Sequence, residues 1–221
     1  MTSRDIEQEV IDTARELLRR GLVEGTTPNL LAPPPDGIVV LPGTLVPVEA
    51  TPRDNLVVTD LTGKVVRGSR APTSEKALHL GALRRYPELG GVIHSHAKYC
   101  TMFAVTHQPI PCVIEEVDAF VGGDVPVADY ELTGSDELGE EVARHLATRG
   151  AVLMANHGLV SVGRTIAEAM KVASLVERTA EIVWGARALG PLVPLPKSTM
   201  DRFAPIYMAL RTRGQPAAKK A

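Results

Sequence analysis

The sequence predicts an α/β (α+β) fold, a sandwich with a mostly antiparallel sheet. Three observations carry that expectation. Segments of helical periodicity alternate with short apolar segments of strand character along all 221 residues. Several strand segments are joined by turns too short for a crossover, which antiparallel neighbours alone allow. No linker divides the chain, so residues 1–213 read as a single domain and 214–221, "GQPAAKKA", as a disordered tail.

In chain order, residues 4–20 repeat apolar side chains at helical spacing (Ile6, Val10, Ile11, Ala14, Leu17, Leu18), with Ser3 as the cap and Gly21 as the stop. Residues 25–36, "GTTPNLLAPPPD", are rich in turn formers and end in three prolines, which reads as a loop. "GIVVLPG" reads as a strand, and "NLVVTDLTGKVV" as a hairpin about Thr62-Gly63. A helix is expected over 73–86, capped by "TSEK", then the strand "GGVIHSH" and the helix "KYCTMFAVTH". "PIPCVIEE" reads as a prolyl strand segment and "GGD" as a turn. Residues 135–149 form an amphipathic helix with Ser135 at its start and acids in its first turn, where they favour the helix dipole. "AVLMAN" and "LVSVG" are strands that meet at His157-Gly158, and a long helix over 165–189 is stopped by "GPLVPLP".

Composition narrows the function. A formal net charge of -2 argues against a nucleic-acid or acidic-membrane partner. No apolar run approaches the length of a membrane span. The opening "MTSRDIEQEV" has acids where a signal peptide has its hydrophobic region, and Cys100 and Cys112 leave room for at most one internal bridge. A cytoplasmic protein is expected.

The chemistry concentrates in histidines. His94 and His96 are two residues apart in a strand, so both project from one face, as chelation of one ion requires. Two polar residues at a strand end fit that spacing equally well. His157 sits where one apolar strand turns into the next, with Gly158 allowing a tight backbone after it. Three imidazoles with an open fourth position make a catalytic metal site suited to Zn²⁺ and to other divalent ions such as Fe²⁺, Mn²⁺ or Co²⁺. Glu75 opens the helix leading into the H-x-H strand; a carboxylate there could bind metal at rest and act as a base once displaced, or serve the helix dipole alone. His79, one turn on, could supply a fourth nitrogen but is assigned a supporting or packing role, and His107 and His145 are read as background on exposed helical faces.

"TSE" before a helix, "HSHA" after an apolar strand and "NHGLVSVG" some sixty residues later resemble the class II aldolase/adducin family, over about residues 5–190. Within it the pattern is most similar to the L-fuculose-1-phosphate aldolases. The resemblance implies a three-layer sandwich assembled as a homotetramer. It implies a zinc-dependent aldolase that cleaves a ketose 1-phosphate of the fuculose or ribulose type into dihydroxyacetone phosphate and an aldehyde. His94, His96 and His157 would bind Zn²⁺, with Glu75 completing the resting site and then moving the proton. The family's 4-epimerases usually carry Asp where this chain has Glu75. Alternatives within the same metal site are epimerisation, dehydration, decarboxylation or Fe²⁺-dependent oxidation, on a substrate with or without phosphate. A non-catalytic scaffold like the adducin head is the alternative outside enzymes.

The resemblance also implies a phosphate site at Thr26, Asn29, Gly43, Thr44, Thr73 and Ser74. Here the sequence departs from the family's G-T-x-G-N, because Pro28 replaces the glycine and has no N–H to donate. The second element reads "LPGT", its Gly and Thr in reversed order. Where such aldolases often place a substrate-facing tyrosine, the chain has Glu115, Glu116 and Asp118, of which Glu116 is the candidate substrate-facing residue. Tyr207 stands as counterpart of the C-terminal tyrosine that acts as a proton donor at a neighbouring subunit.

Overall fold

The computed structural model describes residues 3–24, 29–32, 38–40 and 53–213. Among them the order is α1 (Ser3–Arg19), β1 (Asn29–Ala32), β2 (Ile38–Val40), a 3₁₀ turn, β3 (Val57–Thr59), β4 (Val65–Arg67), α2 (Lys76–Arg85), β5 (Gly91–Ser95) and α3 (Lys98–Val105). Then follow α4 (Glu115–Val121), β6 (Val127–Ala128), α5 (Asp136–His145), β7 (Ala151–Met154), β8 (Gly158–Gly163), α6 (Ile166–Leu189) and α7 (Lys197–Thr212). The eight strands make one sheet in the order β4-β3-β2-β1-β5-β8-β7-β6, antiparallel throughout except for β6 beside β7. None of the described helices is long and apolar enough to cross a membrane.

Strand periodicity divides the core in two. In β5, β7 and β8 alternate side chains go to opposite faces. Ile93, Ala151, Leu153 and Leu159 join one apolar cluster with α1, α3, α4 and α6, while Val92, Val152, Met154, Val160 and Val162 join another with α2 and α5. Helices therefore cover both faces, and the central strands are apolar on both sides. The α2–α5 layer sits close because glycines meet there: a Cβ on Gly81 would lie 2.8 Å from the Gly139 carbonyl oxygen, and one on Gly139 2.7 Å from that of Ala77. That approach fixes α2, and with it the loop that carries Glu75.

Four segments differ from the sequence expectation. Residues 25–36 read as loop, yet "NLLA" forms β1 between β2 and β5. Leu30 is fully buried there, worth roughly 1.5–3 kcal/mol, which outweighs the turn formers on either side. "PIPCVIEE" is not a strand: Ile110 makes a single bridge to Val125, and Glu115 begins helix α4. Glu115, Glu116 and Asp118 occupy the first turn of α4, where acids favour the dipole, and Gly122 closes it in the left-handed region at φ 88°. The helix expected over 73–86 begins only at Lys76, with Glu75 at its cap position. Helix α7 carries Pro205 in its interior, the residue that masks a helix from sequence reading.

Other expectations hold. β3 and β4 form the hairpin, its turn fastened by Asp60 accepting from the backbone N–H of Thr62 and Lys64. Ser135 caps α5 and Thr165 caps α6, each hydroxyl accepting an N–H three residues on. The side chain of Ser3 and residues 214–221 lie outside the described residues. Both cysteines are free and buried, so the one bridge the sequence allowed is not formed.

Candidate functional site

His94 lies on β5 with its side chain on the α2–α5 face, two residues from Val92 and opposite Val160 of β8 in register. It is 1% exposed. Its Nδ1 donates to the carbonyl of Leu159 at 3.1 Å, which fixes the tautomer and leaves the Nε2 lone pair facing inward. His96 follows where β5 runs out, and the two Nε2 atoms stand 3.1 Å apart. His157, from the β7–β8 turn, completes the group: ligand atoms of all three imidazoles lie within 4.8 Å of one another. Among the described residues no other set of three His, Cys, Asp or Glu side chains has that spacing.

Glu75 arrives from the start of α2. Its Oε1 is 3.2 Å from His157 Nε2 and 3.5 Å from His94 Nε2. Thr73 braces this turn, its hydroxyl accepting the backbone N–H of Glu75 at 3.3 Å. Gly158 is required for close approach and not for turn geometry: a Cβ there would lie 2.5 Å from the Ser95 carbonyl and 3.0 Å from His96 Cδ2. The left-handed residue of that turn is Asn156, at φ 56°.

The donor set fits a divalent cation. Nitrogen ligands at tetrahedral zinc distances stand about 3.3 Å apart, close to the 3.1 Å between His94 and His96. Two lone pairs at that distance repel unless a proton or a cation lies between them. Burial pushes His94 down to about 3, so it is a neutral ligand at neutral pH. Burial would raise the Glu75 carboxyl, but the hydrogen bond from His157 and the charges of the surrounding histidines hold it down to about 2. A neutral His94 and an ionised Glu75 are the protonation states that a metal ion demands of them.

A pH prediction follows from these buried histidines. His79 is fully enclosed behind Glu75 and burial pushes it down to about 4. A histidine whose folded value lies below the ordinary 6.5 binds fewer protons folded than unfolded. Stability then falls as pH drops from about 6.5 toward 4, at up to about 1.4 kcal/mol per pH unit for each such group. Glu75 works in the other window, its contribution being lost only as pH falls below about 4.5 toward 2. The urea midpoint of metal-free protein is expected to drop steeply between pH 6.5 and 4.5. A flat midpoint across that range would contradict the neutral buried assignment.

The remaining sequence candidates separate. Thr73 is buried beside Glu75, and Ser74 is exposed next to it. Asn29 pairs with His94 across β1 and β5, but its side chain, like Thr26, Gly43 and Thr44, lies outside the described residues. Glu116 is exposed on α4 and does not belong to the imidazole group. Tyr207 is 7% exposed, and Arg211 donates to its hydroxyl at 3.5 Å. It packs on Gly122 and Gly150, at the start of β7, whereas His157 follows the other end. His145 is half-buried on α5 and bonded to Glu141 at 3.0 Å, and His107 lies in the turn past α3, not on a helical face. The sequence carries no signal for Glu177 of α6, whose carboxylate accepts the N–H groups of Tyr99 and Cys100 and so anchors α3 directly after His96.

Comparison with known proteins identifies the family. Residues 8–184 match the family described as class II aldolase and adducin N-terminal domain. The chain is 34% identical to the 5-methylthioribulose-1-phosphate/5-deoxyribulose-1-phosphate aldolase of Rhodospirillum rubrum, over 87% of this chain and 86% of that protein. It is 34% identical to an L-ribulose-5-phosphate 4-epimerase of Salmonella paratyphi C, over 89% of this chain and 92% of that protein. A solved L-fuculose 1-phosphate aldolase superposes with a TM-score of 0.88 at 31% identity, covering 94% of this chain and 98% of that one.

Proposed function

The chain belongs to the class II aldolase and adducin family, and on that premise we propose that it cleaves a ketose 1-phosphate into dihydroxyacetone phosphate and an aldehyde, with Zn²⁺ held by His94, His96 and His157. The observation that carries this reading is the convergence of those imidazoles with Glu75 Oε1, 3.2 Å from His157 and 3.5 Å from His94. A divalent ion held there supplies Lewis acidity for a substrate carbonyl and hydroxyl. Fe²⁺, Mn²⁺ and Co²⁺ suit the same donors.

Glu75 moves the proton. In the condensing direction its carboxylate, turned from the imidazoles toward substrate, takes a proton from the carbon beside the carbonyl. In cleavage the hydroxyl on the carbon that becomes the aldehyde gives up its proton as the C–C bond breaks, and Glu75, having taken up a proton, delivers it to the released carbon, so the protons balance. The enclosed position at the head of α2 keeps the carboxylate within reach while limiting water. Thr73 and Ser74 supply hydroxyls beside it for the substrate phosphate, and Thr26, Asn29, Gly43 and Thr44 are proposed to complete that site. We read the protein as cytoplasmic and as a homotetramer; exposed Trp184, Leu189 and Val193 supply apolar surface for subunit contact.

The relatives direct the substrate choice toward sugar phosphates such as fuculose 1-phosphate and 5-deoxyribulose 1-phosphate. The epimerase likeness supports a second reading on L-ribulose 5-phosphate, against which Glu75 in place of the usual Asp counts. The test is metal analysis of purified protein, with activity on those three substrates and 5-methylthioribulose 1-phosphate before and after chelation. About one zinc per chain is expected, with cleavage of at least one 1-phosphate lost on chelation and restored by zinc. Epimerisation without cleavage would transfer the protein to the second reading, and cleavage indifferent to chelation would remove the metal from it.

A further inference from the structure

We propose that His107 and Asn156 form a positioning strut that holds His157 at the metal site, an inference that rests on His157 being a ligand. Neither residue touches the site. Both lie in the left-handed backbone region, His107 at φ 52° and Asn156 at φ 56°, and among the described residues they are the two non-glycine residues that do so. They are bonded to each other: His107 Nε2 donates to Asn156 Oδ1 at 2.7 Å. One carbonyl joins their backbones too, because Ala104 O accepts Asn156 N–H at 3.1 Å and His107 N–H at 3.3 Å.

The placement gives this unit its role. Ala104 belongs to the last turn of α3, the helix that starts directly after His96 and is anchored at its first turn by Glu177. Asn156 immediately precedes His157, whose own N–H is tied to Met154 O at 3.0 Å. The strut therefore links the turn carrying the third histidine to the far end of the helix that follows the second one. A backbone conformation that L residues rarely adopt persists only where its surroundings hold it. Here each such residue holds the other, and together they set the direction from which His157 enters. His157 has no β-ladder of its own: β7 ends at Met154 and β8 begins at Gly158.

Glycine adopts the left-handed region without strain, so His107→Gly and Asn156→Gly delete the side-chain bond while sparing the backbone. Metal-free protein is titrated with Co²⁺, following the visible absorption of the bound ion. Each single variant is expected to keep one Co²⁺ per chain with affinity lowered roughly tenfold, near the low end for outer partners of metal ligands, and with an altered band. The double variant should bind no more weakly than either single, because both remove the same bond. His107→Gln, which restores a donor, should recover part of the loss. Wild-type affinity and spectrum in both single variants would overturn the strut alone, and so would losses that simply add in the double variant, since independent loosening by two glycines would produce that. A wild type that takes up no Co²⁺ would instead overturn the metal reading, and the strut with it.

Discussion

Replacing His94 or His157 with alanine is expected to abolish stoichiometric metal binding and, with it, turnover. With three imidazoles converging within 4.8 Å, loss of one leaves two nitrogens and a carboxylate, which no longer enclose the ion. The loss should exceed the about 10–100-fold that removal of an outer partner costs. The two variants should differ in stability. His94 is 1% exposed and donates to the Leu159 carbonyl, so its removal opens a void and deletes a buried hydrogen bond, a cost of about 0.5–1.5 kcal/mol for the bond alone. The His157 side chain is 18% exposed, so His157→Ala should melt closer to wild type while being equally empty of metal. Elemental analysis of both variants, alongside their melting temperatures, checks this. Either variant purified with stoichiometric metal would remove that histidine from the ligand set.

The residues of this site are legible in the sequence because their chemistry has a period and a position. Two histidines two apart on a strand must share a face, and β5 keeps that rule. Glu75 is legible through its place at a helix start. The supports are not. Leu159 enters through its carbonyl, which no side-chain pattern marks, and Glu177 caps α3 from 77 residues away. Asn156 and His107 meet only because α3 and the β7–β8 turn fold together. Tyr207 shows the same limit: its place in a C-terminal segment is legible, while its burial against Gly122 and Arg211 is a property of packing. The same division explains the fold. Helices with caps and stripes, α5 and α6, lie where periodicity puts them. β1 and α4 are short, flanked by prolines or acids, and are settled by a buried Leu30 and a helix dipole.

Glu75→Gln should leave the fold and the metal in place and lower turnover by about 10²–10⁴, the usual contribution of a general base. The amide has the size of the carboxylate, and its oxygen can still face the imidazoles, so packing around the 10% exposed side chain is conserved. It cannot take up a proton. The wild-type carboxyl, held down to about 2 by His157 and its neighbours, is a poor base while it faces those groups. On the proposed reading, displacement by substrate would remove the interactions that hold it low and leave burial to raise its affinity for a proton. The carboxylate would then be ionised at rest and made basic by the binding event. Two consequences separate this from a purely structural role. The loss in Glu75→Gln should appear in kcat with KM little changed, because proton transfer belongs to the transition state and not to ground-state binding. Glu75→Asp, which keeps the base but shortens its reach, should fall between wild type and Glu75→Gln. A Glu75→Gln enzyme with near-normal kcat would take this residue out of the chemistry and leave it a structural residue at the start of α2.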